Sequence, residues 1–323
     1  MTYNAILIDV SNLFYRIAEK ETSSKDAALR IINWVENEAL NNLEKDGTIW
    51  LLFDHLSYDS DNVDRGFQNG IIRNDVKIGY KKGRKHSKIF GAAIELVRKY
   101  FYYSGPQFKL VYGEKYEADD FVHAILIKHP EYKEVAFVTT DEDWTRYMND
   151  HTVLINAGFN KPWKESDFED KYKFKPTEAT VILYKALFGD SSDNIRGALF
   201  ASTAKFSDEM GFLCLSWLQE LGNNKTPYEE AKKMLLEYDQ RALTAKSYEN
   251  LSLIEKVCYQ FMIIGMRSSN EQALHTNIKL LESLVRPEQL AKYTYGTEEK
   301  DERFEIIKNS IKHVPLKNRL GGY

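Results

Sequence analysis

Val135-Ala136-Phe137-Val138-Thr139-Thr140-Asp141-Glu142-Asp143 runs from an apolar stretch through two threonines into acids. A short continuous apolar run with polar residues at its end reads as a strand buried on both faces. The same grammar recurs upstream, where Ala5-Ile6-Leu7-Ile8 precedes Asp9 and Trp50-Leu51-Leu52-Phe53 precedes Asp54. Strands buried on both faces belong to parallel sheets, which gather the carboxyl ends of all their strands at one edge. Read outward from 135–143, the chain promises a sheet edge rich in carboxylates.

Helical patterns fill the spaces between these strands. From about Asp26 to Leu43, Ala28, Ile31, Ile32, Val35 and Ala39 fall on one side of a helix, and Ile49 to Phe53 reads as the next strand. Ser87 is a candidate N-cap for a helix to about Tyr103, Phe108 to Tyr112 a strand, and Glu117 the start of another helix. A strand is expected over Val153 to Asn156, and a helix from Pro176 to Leu187 or Phe188. Alternating strands and helices predict an α/β fold with a mainly parallel central sheet flanked by helices. After Gly197 only helical patterns follow, such as 213–221, 228–238 and 253–266, so a helical C-terminal region is expected. The division falls at residues 1–188 and 189–323.

The 323 residues are 43% hydrophobic, ample for a packed core, and the net charge is −4 with a pI near 6.0. A DNA coat or packaging protein is disfavoured by that balance, but an enzyme with a local basic patch is not. The two cysteines, Cys214 and Cys258, lie in apolar helical patterns and read as buried thiols in a reducing compartment. The N-terminus lacks a basic, then apolar, leader, and no stretch has the length of a membrane span. A cytoplasmic monomer is expected.

Three further acidic motifs join Asp9 and Asp54: Glu117-Ala-Asp119-Asp120, Asp141-Glu-Asp143 and Asp190-Ser-Ser-Asp193. Each alone has a structural reading, as acids favouring a helix N-terminus or as an Asx turn at a helix stop. Together they would place many like charges at one edge, where each raises the pKa of its neighbours. Hard divalent cations on oxygen ligands relieve that repulsion, and Mg²⁺ suits such a site. Two such ions over a phosphate are the hydrolytic arrangement of nucleases and polymerases. Histidine and cysteine are not needed, and none of the seven histidines forms a pattern with these acids.

A basic segment stands between the second and third acidic motifs. Val76 to Lys88 carries Lys77, Lys81, Lys82, Arg84, Lys85 and Lys88 and no acid. Most charge runs are solvated loops. In an otherwise acidic enzyme, phosphate contact is the better reading of this one.

The order of these motifs resembles the 5′-nuclease superfamily: flap endonucleases, the 5′–3′ exonuclease domain of bacterial DNA polymerase I, and phage 5′ exonucleases/ribonucleases H, the last being nearest in style. The resemblance runs from about Ile6 to Gly197. Its pieces are Ile8-Asp9-Val-Ser-Asn-Leu-Phe-Tyr-Arg16, Phe53-Asp54, Gly79-Tyr80-Lys81-Lys82-Gly83-Arg84, Tyr116-Glu117-Ala-Asp119-Asp120, Thr140-Asp141-Glu-Asp143-Trp144 and Gly189-Asp190-Ser-Ser-Asp193-Asn194-Ile195-Arg196-Gly197. By position, the resemblance implies that Asp9, Asp54, Glu117, Asp119 and Asp120 hold one divalent ion, directly or through water. Asp141, Asp143, Asp190 and Asp193 hold the second. Mg²⁺ is the expected ion, with Mn²⁺ as its alternative.

It further implies an arch or clamp over about 56–104 that passes the 5′ single strand. Lys81 then meets the scissile phosphate, Tyr80 stacks on the terminal base, and Arg16 makes a second phosphate contact. Lys77, Lys82, Arg84, Lys85, Lys88, Arg196 and Lys205 are assigned to the nucleic-acid backbone. The implied activity is 5′–3′ exonuclease, flap endonuclease or ribonuclease H hydrolysis near 5′ ends, in replication and RNA-primer removal. The substrates would be DNA with a 5′ flap or 5′ end, or an RNA–DNA hybrid, in a bacterial or phage-infected cytoplasm.

The pattern breaks after Gly197. Family members continue with a Gly-rich helix-hairpin-helix turn that grips duplex DNA through a K⁺ ion, whereas this chain reads Gly197-Ala-Leu-Phe-Ala-Ser-Thr-Ala-Lys205. Residues other than glycine resist the left-handed turn. A degenerate duplex grip follows, compensated by a partner such as a single-strand-binding protein or sliding clamp. The competing readings are a PIN-type ribonuclease, which is usually shorter and lacks the clamp, and a protein that binds branched DNA without cutting it.

Overall fold

The computed structural model describes residues 2–54, 87–111, 117–156, 158–190, 192, 195–196 and 219. Its centre is a five-stranded, wholly parallel sheet in the order β3-β2-β1-β4-β5. The strands are β1 (Tyr3–Asp9), β2 (Leu43–Leu52), β3 (Phe108–Val111), β4 (Val135–Val138) and β5 (Thr152–Leu154). The helices between them are α1 (Val10–Ile17), α2 (Ser24–Trp34), α3 (Phe90–Tyr102) and α4 (Ala118–Lys128), and α5 (Glu165–Tyr172) and α6 (Glu178–Phe188) follow β5. A two-residue antiparallel ladder, β6 (Gly189–Asp190) with β7 (Ile195–Arg196), follows α6 directly.

The apolar runs are continuous because both faces of the sheet are covered. Alternate residues serve opposite faces. Ile6, Ile8, Ile49 and Leu51 pack with α1, α2 and α3, while Ala5, Leu7, Trp50 and Leu52 pack with α4 and the segment after β4. All eight are buried. On the second face Trp50 also satisfies its indole by donating to the Tyr132 hydroxyl at 3.1 Å.

Chain order fixes where a ligand meets this sheet. The first three strands add outward on one side of β1, and the chain then crosses to place β4 on the other side. That reversal makes the gap between β1 and β4 a topological switch point, where open α/β sheets bind ligands beyond the carboxyl ends of their strands. The Ile8↔Val138 register puts Asp9 and Thr139 at that gap.

The expected fold class holds, and several boundaries differ. The helix expected to reach Leu43 is α2 followed by a π turn (Val35–Ala39) and a 3₁₀ turn (Leu40–Asn42). Leu43 instead begins β2, because its backbone pairs opposite Tyr3. Ser87 is not the cap of the next helix: Ile89 holds that place without a side-chain bond, and Ser87 accepts the Phe90 N–H at 3.0 Å in a preceding turn. The helix from Pro176 starts at Glu178, capped by the Thr177 hydroxyl. The strand expected over Val153 to Asn156 is β5, which stops at Leu154. Helix α3, inside the segment read as a clamp, packs Phe90, Ala93, Ile94, Val97 and Phe101 into the core. Helices α1 and α5 have no counterpart in the sequence reading. Beyond Arg196 the C-terminal region lies outside the described residues except for Gln219, and both cysteines lie outside them as well. Among the described residues no helix is long and apolar enough to cross a membrane.

Candidate metal and nucleic-acid site

Strand β1 ends on Asp9, and the same residue caps α1: its Oδ1 accepts the Asn12 N–H at 2.9 Å. Strand and helix therefore meet with no linker, which fixes the carboxylate at the switch point. The second oxygen, Oδ2, accepts from the Thr139 hydroxyl at 3.4 Å. Thr139 Oγ1 in turn accepts the Asp141 N–H at 3.0 Å. Beside it, Asn12 Oδ1 accepts the Thr140 N–H at 2.9 Å. The polar residues that follow the β4 run thus bind it to the β1 edge and carry Asp141 to the neighbourhood of Asp9.

Asp54 follows β2 and reaches across to α4, accepting the Ala118 N–H at 2.9 Å. The first N–H groups of a helix have no intrahelical partner, so a carboxylate there satisfies the backbone and meets the positive end of the helix dipole. Asp120 does the same within the helix, accepting the Glu117 N–H at 2.9 Å. Glu117, Asp119 and Asp120 are all buried, as are Asp9 and Asp143. Carboxylates are rarely buried unless paired, so each of these acids calls for a donor or a cation beside it.

After β4 the chain makes a 3₁₀ helix over Glu142–Tyr147, with Asp141 as its N-cap accepting the Asp143 N–H at 2.9 Å. The three acids of this motif part company. Glu142 turns to α5, where it accepts from Lys171 at 2.8 Å and from the Tyr172 hydroxyl. That bond, after burial itself, raises the Tyr172 pKa. Asp143 turns to α6, where the Lys185 ammonium donates to it.

Lys185 also donates to Asp190 Oδ2 at 2.8 Å. Asp190 Oδ1 accepts the Ser192 N–H at 2.9 Å and the Ser192 hydroxyl at 2.6 Å, the Asx turn that the sequence suggested. Burial would push the Asp190 carboxyl up. The Lys185 charge and bond, with the two Ser192 donors, outweigh burial and hold it down at about 2.

A second cation stands between the acidic groups. Arg146, on the same 3₁₀ helix, donates to Asp119 Oδ2 at 3.0 Å. Its side chain is 1% exposed and that of Asp119 10%. Neither Arg146 nor Lys185 figured in the sequence reading. Lone cations in amphipathic segments carry no signal there, and only the packing of α4 and α6 against the 3₁₀ helix reveals them.

The described acids therefore form one network of short steps. Asp54 binds the start of α4, Asp119 binds Arg146, the 3₁₀ helix carries Asp141 and Asp143, Lys185 joins Asp143 to Asp190, and Thr139 joins Asp9 to the Asp141 backbone. Among the described residues no three His, Cys, Asp or Glu side chains are grouped as a ready-made metal cage. The donor set still fits a hard divalent ion, since it is all carboxylate oxygen, and the ammonium shared by Asp143 and Asp190 shows that the pair accepts a common cation.

Arg16 lies in the last turn of α1 and donates to the Ile155 carbonyl at 3.3 Å and to the Asn156 carbonyl. Lys88 is exposed in the turn before α3. Arg196 stands in β7 opposite Gly189. Asp193, Lys77, Tyr80, Lys81, Lys82, Arg84, Lys85 and Lys205 lie outside the described residues.

No family profile and no curated protein matches the sequence. Solved structures do match the fold. The T5 5′-exonuclease with bound divalent zinc ions aligns with a TM-score of 0.56 at 15% identity, covering 88% of this chain and 100% of that one. The T5 D15 protein co-crystallised with metal ions aligns with a TM-score of 0.54 at the same 15% identity and the same coverage. The parallel sheet and its flanking helices are the fold that this chain shares with these two structures.

Proposed function

We propose that this chain, built on the 5′-nuclease fold, is a structure-specific, metal-dependent 5′ nuclease that hydrolyses phosphodiesters near the 5′ ends of DNA or of RNA in RNA–DNA hybrids. The observation that carries the reading is the burial of Asp9, Glu117, Asp119, Asp120 and Asp143 beyond the carboxyl ends of the strands, around the switch point. A structural role needs one or two such acids as caps. It does not need carboxylates drawn to one edge from β1, from the segment after β2, from the start of α4 and from the segment after β4.

Asp9, Asp54, Glu117, Asp119 and Asp120 would hold one divalent ion, and Asp141, Asp143, Asp190 and Asp193 a second, with Mg²⁺ or Mn²⁺ as the working ion. The chemistry such ions supply when bound is an activated water and neutralisation of phosphate charge. The chain's own residues do the rest. The caps on α1, α4 and the 3₁₀ helix orient the carboxylates in advance, so little reorganisation is required when substrate arrives. Lys81 and Arg16 offset phosphate charge, Tyr80 stacks on the terminal base, and the other basic residues of 76–88 track the backbone. Residues 1–188 form the catalytic core and 189–323 a duplex-binding region with an altered hairpin, which would lean on a clamp or single-strand-binding protein. The metal-bound T5 5′-exonuclease and D15 protein share the fold and so favour this chemistry.

The test uses oligonucleotides labelled at either end and built as a 5′ flap, a nicked duplex and an RNA–DNA hybrid, each with Mg²⁺, Mn²⁺ or EDTA. Metal-dependent cutting near the 5′ end, lost in Asp141→Asn/Asp143→Asn, is the expected outcome. Binding to the flap without cutting in either metal would overturn it in favour of a branched-DNA-binding protein on a nuclease scaffold.

A further inference from the structure

We infer that Lys185 is a resident counter-cation of the Asp143–Asp190 pair, and that a divalent ion entering this pair must displace it. The inference rests on the reading of these acids as metal ligands. Lys185 belongs to the last turn of α6, five positions before Asp190. Its ammonium bonds Asp143 from the 3₁₀ helix and Asp190 from β6, with its own side chain 13% exposed. An ion shared by two carboxylates lies between them, and that place is already taken by the ammonium. Both cannot stand there, because a single and a double positive charge in contact with the same oxygens repel each other strongly.

Arg146 supplies the contrast. Its guanidinium never loses its charge, is almost wholly buried and is tied to Asp119. Pulling it away would leave a buried charge without its partner, which is strongly unfavourable. Lys185 is a point charge on a flexible four-carbon stem and is less buried, so it can withdraw. One cation is therefore a permanent part of the site and the other is exchangeable. Lys185 cancels half the charge of the Asp143–Asp190 pair without metal, and the pair takes an ion more weakly than bare carboxylates would.

The experiment compares the full chain with Lys185→Met, which keeps the stem and removes the charge, and with Lys185→Arg, which keeps the charge. Mn²⁺ binding is followed by electron paramagnetic resonance, and melting temperature is recorded in EDTA and in Mn²⁺. Lys185→Met is expected to bind Mn²⁺ about tenfold more tightly or better, the scale of one close charge on a carboxylate. It should melt below wild type in EDTA and gain more from Mn²⁺, while Lys185→Arg gains nothing. Folding of Lys185→Met only in Mn²⁺ supports the inference equally. If that chain folds in neither condition, Lys185→Gln, whose amide still donates to a carboxylate, takes its place. Equal Mn²⁺ affinity and equal thermal gain in wild type and the uncharged variant overturn the inference alone. Absence of Mn²⁺ binding in both overturns the metal reading and the inference with it.

Discussion

Arg146 and Asp119 meet at 3.0 Å with both side chains buried, which sets a permanent positive charge among carboxylates that the fold gathers at one edge. The pair joins the 3₁₀ helix after β4 to the first turn of α4. It is thus a structural tie as well as an electrostatic one.

Removing one partner should be costly. Arg146→Met is expected to lower stability by about 3–5 kcal/mol, because Asp119 is then buried beside other acids without its cation. The double variant Arg146→Met/Asp119→Asn should cost less than the sum of the two single changes, since the charges no longer oppose burial. Urea denaturation of the four proteins measures the coupling, and strict additivity would show that the contact contributes nothing.

Asp9 permits a separation of folding from chemistry. It caps α1 and also faces the switch point. Asparagine caps a helix as well as aspartate does, so Asp9→Asn should melt near wild type. Nuclease activity on a 5′ flap should fall about a hundredfold or more, the scale on which one electrostatic stabiliser acts in a reaction. A variant that cuts at the wild-type rate would remove Asp9 from the site.

Gly189 places Asp190. It ends α6 with φ 90° and ψ 168°, a combination that only glycine adopts without strain, and the next residue is Asp190. Gly189→Ala should cost about 1–3 kcal/mol and loosen the Lys185–Asp190 contact. Thermal melting and Mn²⁺ binding should both shift, whereas a change on the exposed face of α5 should move neither.

His123 gives the chain a pH-dependent stability. Burial lowers its pKa; the Glu178 charge acts upward and the Arg146 charge downward, and the net direction is down from 6.5. The unfolded state then binds a proton at a higher pH than the folded state does. Stability is therefore full above about pH 6.5 and is lost as pH falls below that value through the folded pKa. Denaturation midpoints should drop between pH 8 and pH 5.5, a window in which ordinary carboxylates stay ionised. His123→Gln should flatten the profile, and an unchanged slope would assign the effect to other groups.

Chelation should stop cutting and leave the fold. Arg146 and Lys185 already offset Asp119, Asp143 and Asp190 in the chain itself. Circular dichroism and melting in EDTA should therefore show a folded protein with a single transition, while flap cleavage disappears. Unfolding on chelation would mean that these cations do not balance the acids.

Much of this was legible in the residues alone. The acid-ended apolar runs specify strands covered on both faces, and a parallel sheet must then bring Asp9, Asp54 and Asp141 to one edge, because period-two burial and strand direction are local properties. The Asx turn at Asp190 and the acids in the first turn of α4 are local as well, each formed by groups within a few positions of one another. Local signals failed where distant pairing decided the matter. Leu43 continues a helical pattern yet joins β2, since its backbone pairs with Tyr3, and α1 escapes notice because its cap is the strand's own last residue.

Which acids share an edge is thus written along the chain, since strand ends and helix starts are set by neighbouring residues. What stands between those acids comes from packing. Arg146 and Lys185 look like any solvated cations until α4 and α6 pack on the 3₁₀ helix, and Glu142 has no partner named in the sequence until α5 brings Lys171 and Tyr172 to it. Charge is written in the chain, but the distance between two charges that are remote in sequence is a property of packing alone.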